Sequence, residues 1–292
     1  MGQHIGVLAA ILSSTLGGMA GAVTRFVIGA TDPVTLAFFR FGVGFLLLLP
    51  VALATRARWP QKRDRIGVAL LGLMFFSLFF VIYNAAMRYT TAARGALALS
   101  MLPLVTMAVA ALLGVERLTA RKTAGVLVAM GGVVLALAAG LAGAPEGAWR
   151  GDLIMAGGTL CMALYSVWSR PFVQRSSRLG FLTFGMGAGG IASAAIAAAG
   201  GGIAVVAGFG WAQWLAVAYL AVFGGATAFY LWVFALEHTT PTRVANTMTV
   251  NPVAAALLAA ALIGEPLGLN LVFGVLAVAA GIWLASSGPQ AS

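Results

Sequence analysis

The sequence predicts an all-α membrane protein whose ten transmembrane helices form two inverted five-helix repeats around a central cavity. Three observations predict this fold class. The 292 residues are 61% hydrophobic and only 8% charged, long apolar runs follow one another along the chain, and the two halves resemble each other. The predicted repeats are residues 1–145 (helices 1–5) and 146–292 (helices 6–10), joined in one integrated transmembrane domain.

The composition excludes a soluble globular domain, in which roughly a quarter of the residues are charged. The net charge of +10 does not indicate nucleic-acid binding, because the Lys and Arg residues lie in short gaps between apolar runs. That pattern signals membrane topology. The single cysteine, Cys161, lies inside an apolar run and offers neither a disulfide nor a metal-ligand spacing. We therefore expect no metal, no cofactor and no nucleic-acid partner.

Ten apolar runs are long enough, at about 20 residues each, to cross the hydrocarbon core as helices. If the N-terminus is cytoplasmic, twelve Lys and Arg residues fall in inner loops and four in outer loops. This bias predicts that both termini are cytoplasmic. The predicted spans are residues 4–29, 33–54, 66–87, 92–114, 120–141, 151–173, 180–206, 211–236, 241–263 and 269–287.

The most specific signal is an internal repeat at a spacing of 149 residues. At this spacing Pro103 aligns with Pro252 and Glu116 with Glu265, and near the start of each half the spacing is 145. Because each half holds an odd number of spans, the second half enters the membrane from the opposite side. Such an inverted repeat suits alternating access to one central site, although duplication could also have built only a larger bundle.

Three short runs carry a resemblance to a known family. Residues 32–41 (DPVTLAFFRF), 113–118 (LGVERL) and 263–267 (IGEPL) resemble the EamA domains of the drug/metabolite transporter superfamily. The resemblance covers nearly the whole chain as two tandem copies. It implies ten helices, cytoplasmic termini and export of small metabolites through a central cavity. In size and aromatic content the chain is most similar to the YddG-type aromatic amino-acid exporters.

The candidate substrate-binding residues are aromatic and small polar side chains within the predicted spans. Rings recur at helical spacing, a pattern that is also found on lipid-facing and core surfaces. Amides and hydroxyls could orient a zwitterion without a buried charge, and they also serve as helix–helix hydrogen bonds. Asn251 offers a further amide of this kind. The candidates are Ser14, Phe79, Tyr83, Asn84, Ser100, Tyr165, Trp168, Thr227, Tyr230 and Asn246.

Charged side chains are scarce inside the spans. All seven carboxylates lie at or near span ends, so neither a mid-membrane proton relay nor acid–base catalysis is expected. Arg40 is the one cation clearly within a span. It could meet a substrate carboxylate, but we expect it to snorkel to the headgroups or to hydrogen-bond between helices. Pro103 and Pro252 each remove a backbone hydrogen bond, which predicts a pair of matched hinges.

The sequence therefore predicts a non-enzymatic, facilitative exporter of amino acids with aromatic or apolar side chains, or of similar small metabolites. We expect it in the bacterial inner membrane, as a monomer surrounded by lipid. An exporter of other drug-like or metabolite solutes is one alternative. A membrane protein that is enzymatic, or that does not transport, is a second alternative, which an absence of solute flux in reconstituted vesicles would favour.

Overall fold

A computed structural model describes residues 2–89, 98–137, 147–254 and 269–286, and all regular structure in these ranges is helical. Two of the helices, α3 and α8, each contain a π-helical segment. In chain order the helices are α1 (Gly2–Val27), α2 (Pro33–Ala54), α3 (Arg65–Tyr89), α4 (Leu102–Leu112), α5 (Ala120–Leu137), α6 (Ala148–Arg175), α7 (Arg178–Ala199), α8 (Trp211–His238), α9 (Pro241–Asn246) and α10 (Leu269–Ser286).

Six of these helices, α1, α2, α3, α6, α7 and α8, are long and apolar enough to cross a membrane. Large apolar side chains cover the outside of the bundle, and Leu8, Leu70 and Ile191 are each at least 60% exposed. Apolar surface of this extent is unfavourable in water and favourable in lipid. The chain is therefore a multi-pass membrane protein. Predicted spans four, five, nine and ten lie partly outside the described residues, so the count of ten stays a prediction, as does the repeat boundary at 145/146.

The start of α2 shows how the sequence determines a helix boundary. The Asp32 side chain accepts hydrogen bonds from the backbone N–H groups of Val34 and Thr35, both at 2.9 Å. Pro33 occupies the first turn, where its missing N–H costs nothing. The helix ends at Ala54, as predicted.

The predicted seventh span, residues 180–206, is too long. Helix α7 ends at Ala199, and Gly201 adopts a φ of +70°, a left-handed conformation that glycine reaches without steric cost. A separate short helix, Gly202–Val205, follows. The glycine run in this region therefore ends the helix instead of continuing it.

The core is formed by helix pairs that join the two halves of the chain. Helix α1 packs against α8, α3 against α6, α2 against α7, α4 against α9 and α5 against α10. These pairs are symmetric between the halves. Helix α1 packs against α8 as its counterpart α6 packs against α3, and each of the other three pairs joins a helix to its own counterpart in the other half. Two related halves would pack in this way, and the inverted arrangement of the halves stays a prediction.

Helices α5 and α10 hold equivalent positions in the two halves and pack closely through glycines. A Cβ atom added to Gly281 would lie 2.6 Å from the backbone oxygen of Gly125, and one added to Gly132 would lie 2.8 Å from the backbone oxygen of Gly274. The early part of α5 therefore meets the late part of α10, and the reverse. The two helices run antiparallel.

The π-helical segments of α3 and α8 occupy Leu73–Phe79 and Val222–Thr227, and their first residues are 149 positions apart. A π-helical turn changes the hydrogen-bond register and is frequently found at functional sites. The same structural irregularity therefore recurs at equivalent places in the two halves.

The two predicted hinge prolines each follow a break in helical backbone. Pro103 is the second residue of α4, directly after a turn at residues 100–101. Pro252 lies in a helical stretch that follows the 3-10 segment Thr247–Thr249. A proline is tolerated near a helix start because its missing N–H has no partner there. The breaks are present at equivalent places, and the hinge role stays a prediction.

Charged side chains tie together one end of the bundle. Arg175 binds Asp64 with two hydrogen bonds of 3.0 Å each, and Arg178 lies 2.6 Å from Glu237. Glu116 pairs with Lys122 and also accepts from the backbone N–H of Thr242, at 3.1 Å, in the first turn of α9. These residues belong to the loops and helix ends that the charge bias places on the cytoplasmic side.

Candidate functional site

A cavity of about 50 Å³ lies where α1, α2, α3, α6, α8 and the segment after α9 meet. It has room for a few water molecules, and it is much smaller than the roughly 300–1,000 Å³ of typical small-molecule sites. The walls must therefore separate before a metabolite can enter. The lining residues are Ser13, Gly17, Arg40, Phe79, Phe80, Tyr83, Leu99, Met162, Gly224, Ala228, Phe229, Trp232, Met248 and Asn251.

Most of the cavity wall consists of residue pairs that the repeat relates. Phe80 and Phe229 are 149 positions apart, as are Tyr83 and Trp232, and all four line the cavity. The cavity is thus built about equally from both halves of the chain. The other pairs are Phe79 with Ala228, Leu99 with Met248 and, at the spacing of 145, Gly17 with Met162.

Arg40 breaks this equivalence, because a glycine stands at either repeat spacing from it, Gly185 or Gly189. The side chain is buried, with 5% exposure. Its Nε and Nη2 atoms donate to the backbone oxygen of Gly224 at 3.2 and 2.7 Å, and Gly224 lies in the π-helical segment of α8. The Phe80 ring centroid lies 4.6 Å from Cζ. Snorkelling was therefore a wrong prediction for Arg40, and the interhelical hydrogen bond is confirmed.

Ser13, Trp232 and Asn251 also bring polar atoms to the cavity wall. Ser13 is satisfied, since its hydroxyl donates to the backbone oxygen of Ala228 at 2.7 Å. By contrast, the Trp232 Nε1–H donor and the Asn251 Oδ1 acceptor are buried and have no hydrogen-bond partner among the described residues. Buried polar atoms in proteins are nearly always bonded. Two residues of the cavity wall therefore carry a donor and an acceptor that no described residue satisfies.

Four of the predicted site residues lie in the cavity wall or in its supports. Phe79 and Tyr83 line it. Asn84 donates from Nδ2 to the backbone oxygen of Pro33 at 2.9 Å and so ties α3 to the start of α2. The Ser14 hydroxyl lies 2.9 Å from that of Thr247 and links α1 to the 3-10 segment.

Three predicted aromatic residues lie away from the cavity. Tyr165 stacks on Phe75 with ring centroids 4.2 Å apart, inside the aromatic core. Trp168 is 44% exposed on the outer surface of the bundle. Tyr230 lines a separate cleft of about 430 Å³ beside Glu237, at the end of the bundle that carries the ion pairs.

The remaining candidates are Ser100, Thr227 and Asn246, and none of them lines the cavity. Ser100 is buried beside the break before α4, and Thr227 is half-buried at the end of the π-helical segment of α8. The amide of Asn246 is fully buried at the end of α9, with no partner in the part of the chain that the structure describes.

Sequence reasoning missed three aromatic wall residues, Phe80, Phe229 and Trp232. The signal that could have found Trp232 was present in the sequence. Applied to the candidate Tyr83, the repeat spacing of 149 leads directly to it.

Comparison with known proteins places this geometry in context. The EamA-like transporter family matches residues 4–138 and again residues 149–287. The uncharacterized transporter YyaM of Bacillus subtilis (strain 168) is 22% identical over 289 residues, which covers 97% of this chain and 94% of that protein. The uncharacterized inner membrane transporter YedA of Escherichia coli (strain K12) is 28% identical, covering 84% of this chain and 78% of that protein.

Two further similarities concern a named activity and the fold. A probable terminal-alkyne amino-acid exporter of Streptantibioticus cattleyicolor is 28% identical over 244 residues, covering 80% of this chain and 79% of that protein. A solved crystal structure of another protein superimposes with a TM-score of 0.75 over 97% of this chain and 96% of that one, at 22% identity. At that identity the superposition shows the fold alone.

Proposed function

Because this chain belongs to the EamA-like transporter family, which it matches in both halves, we propose that it exports amino acids with aromatic or apolar side chains. It is a membrane transporter, and its cargo is the subject of the proposal. One observation carries the choice of cargo. The central cavity combines an aromatic wall with a single buried cation and with unused polar atoms.

The aromatic wall suits an apolar side chain. Five aromatic residues line the cavity: Phe79, Phe80, Tyr83, Phe229 and Trp232. Aromatic pairs add roughly 0.5–1.5 kcal/mol beyond the burial of their area. A small, fully polar solute would gain nothing from this wall. The similarity to a protein described as a probable amino-acid exporter supports the same class of cargo.

The driving force in this proposal is the gradient of the substrate itself. None of the described residues that line the cavity is an Asp, a Glu or a His, and these are the side chains that relay protons within membranes. Arg40 keeps its proton at any physiological pH. The cavity therefore offers no group that would load and release a proton during a transport cycle.

Alternating access is supported by the relation between the halves. The equivalent helices α5 and α10 run antiparallel, and the helix pairs are symmetric between the two halves. An inverted repeat with these properties can adopt two related arrangements around one site. The equivalent backbone breaks before Pro103 and at Thr247–Thr249 are the places where we expect the backbone to bend.

We place the protein in the bacterial inner membrane, with both termini and the ion-paired end of the bundle in the cytoplasm. The charge bias of the loops supports this orientation, and the similarity to the inner membrane transporter YedA supports the location. In this proposal the protein functions as a monomer.

Counterflow in proteoliposomes tests the proposal. Purified protein is reconstituted with unlabelled phenylalanine, leucine, alanine, lysine or glutamate inside, and uptake of the same labelled amino acid is followed. We expect phenylalanine and leucine to exchange faster than lysine and glutamate. Tyr83→Ala should change this selectivity. Trp168→Ala, a matched aromatic truncation on the outer surface, should leave it unchanged.

Two results would contradict the proposal. An absence of counterflow across the whole amino-acid panel would move the assignment to another metabolite or to a protein that does not transport. Uptake driven by an imposed pH gradient without a substrate gradient would refute facilitative transport while leaving the cargo intact.

A further inference from the structure

Arg40 is a buried cation with unused hydrogen-bonding capacity. A guanidinium group has five N–H donors, and two of them bond the backbone oxygen of Gly224. No described residue accepts from the other three, and the side chain lines the cavity with 5% exposure. Phe80 covers one face of the guanidinium at 4.6 Å. One edge of the group is thus engaged, and its outer end, formed by Nη1 and the second N–H of Nη2, is free.

A buried charge without a counter-ion is costly in a membrane and is by default functional. If Arg40 served only to tie α2 to the π-helical segment of α8, a neutral donor would make the same contact with Gly224 without the cost of burying a charge. The ring of Phe80 and one carbonyl compensate part of that cost. An anion would compensate the rest of the cost of burying this charge. The free end of a guanidinium binds a carboxylate with two parallel hydrogen bonds.

The position of Asn251 supplies the complement. A Cβ atom added to Gly17 would lie 3.5 Å from the Asn251 amide nitrogen and 3.7 Å from its Oδ1. On the same helix, the Ala20 side chain approaches Gly224, the residue whose carbonyl Arg40 binds. Gly17 and Ala20 are three residues apart on α1, which corresponds to a rise of about 4.5 Å along the helix. Asn251 and Arg40 both line the cavity, so a zwitterion that enters it meets an acceptor for its ammonium group and a cation for its carboxylate.

We propose that Arg40 binds the carboxylate of the transported amino acid and that the side-chain oxygen of Asn251 accepts a hydrogen bond from its ammonium group. This inference rests on the proposed function and deepens it. The repeat-related aromatic wall takes the side chain, while these two residues, which the repeat does not duplicate, hold the backbone of the substrate. Because both are asymmetric, the substrate keeps one orientation when the cavity opens to either side.

The experiment is competition against counterflow of labelled phenylalanine by three analogues that differ at one group each. Phenylalaninamide lacks the carboxylate, 3-phenylpropionate lacks the ammonium group, and phenethylamine lacks the carboxylate carbon altogether. In the wild type we expect phenylalaninamide and phenethylamine to compete at least tenfold more weakly than phenylalanine. A factor of ten corresponds to about 1.4 kcal/mol.

Substitutions assign this discrimination to residues. Arg40→Gln should raise the KM for phenylalanine by roughly 10- to 100-fold. In this variant phenylalaninamide and phenylalanine should compete at nearly equal concentrations, so that the ratio of their inhibitory concentrations is close to one. Arg40→Lys should retain part of the discrimination, since it keeps the charge and loses the planar fork. Arg88→Gln is the matched control, because Arg88 also donates to a backbone oxygen, that of Thr31 at 2.8 Å, away from the cavity lining.

Asn251→Leu tests the other end with the residue type that stands at the equivalent position, Leu102. It should weaken competition by phenylalanine and leave that by 3-phenylpropionate at the wild-type level, because the latter has no ammonium group to lose.

The outcomes separate the two proposals. Two results would refute the carboxylate site and leave amino-acid export standing. In the first, phenylalaninamide competes as well as phenylalanine in the wild type. In the second, Arg40→Gln keeps the wild-type ratio of the two inhibitory concentrations. If no amino acid is exchanged, both fail together. Should Arg40→Gln not fold, the wild-type ratio and Arg40→Lys still decide, since a purely structural arginine would not distinguish a carboxylate from an amide.

Discussion

Substitution by alanine should destabilise the fold at one of two neighbouring glycines of α1, Gly18, and leave the fold intact at the other, Gly17. A Cβ atom on Gly18 would lie 2.3 Å from the backbone oxygen of Asn251 and 2.9 Å from its Cα. A Cβ atom on Gly17 would meet the side chain of the same residue at 3.5 Å, an ordinary contact. Gly157 on α6 is exposed and has nothing within 4 Å of an added Cβ.

The geometry determines the magnitude for Gly18→Ala. Real Cβ contacts are essentially never below 3.0 Å, so a contact of 2.3 Å requires α1 and the segment after α9 to move apart by about 0.7 Å at least. The obstacle is backbone, which cannot rotate away as a side chain would. Overpacking of this kind costs about 1–3 kcal/mol. Gly157→Ala has no such penalty and gains up to about 1 kcal/mol from the better helix propensity of alanine.

The assay is thermal denaturation of the purified variants in one detergent, followed by circular dichroism. We expect Gly18→Ala to unfold at a clearly lower temperature than the wild type, and Gly157→Ala at the same or a slightly higher one. If Gly18→Ala and Gly157→Ala unfold together, the close approach of α1 to Asn251 is wrong, and with it the placement of Gly17 beside the cavity.

Gly17→Ala should fold normally and lower phenylalanine exchange relative to alanine exchange by roughly tenfold, because one added methyl group in a small pocket discriminates against large side chains. An equal loss of exchange for both amino acids in the counterflow assay would contradict this. Tyr165→Phe should preserve transport and stability, since the buried hydroxyl has no partner among the described residues, and a loss above about 1 kcal/mol in denaturation would reveal a hydrogen bond. Hydrogen bonds from Arg175 hold the pKa of the Asp64 carboxyl below its usual range. The Asp64 carboxylate therefore stabilises the folded state above its unfolded pKa of 3.8, and this stabilisation is lost as the pH falls through the lower folded pKa. The unfolding temperatures of wild type and Asp64→Asn should therefore differ at pH 7 and converge as the pH falls below 3.8. A difference that stays constant would point to another cause.

Helix boundaries were predictable where local chemistry sets them. Asp32 and Pro33 determine the start of α2 at the predicted residue, because a capping carboxylate and a first-turn proline act within three residues of each other. The glycine run after α7 was visible too, but whether it ends a helix depends on the conformation of Gly201, which the sequence leaves open.

The candidate site was only partly predictable. Tyr83 and Tyr165 have the same residue type and a similar position within a span, yet one lines the cavity and the other stacks on Phe75. In a soluble protein, apolar periodicity separates buried from exposed faces. In lipid both sides of a helix are apolar, so the pattern does not say which neighbour a ring meets.

Taken alone, the sequence determined that the chain lies in a membrane, since 61% hydrophobic residues cannot be covered in water, and that its halves are duplicates, since chance does not align Pro103 with Pro252 and Glu116 with Glu265. Only the tertiary structure decided the fate of Arg40. Its partner, the carbonyl of Gly224, belongs to a helix 184 positions away along the chain and lies in a π-helical segment. No local pattern encodes that meeting, because it arises from the packing of two helices from opposite halves of the protein.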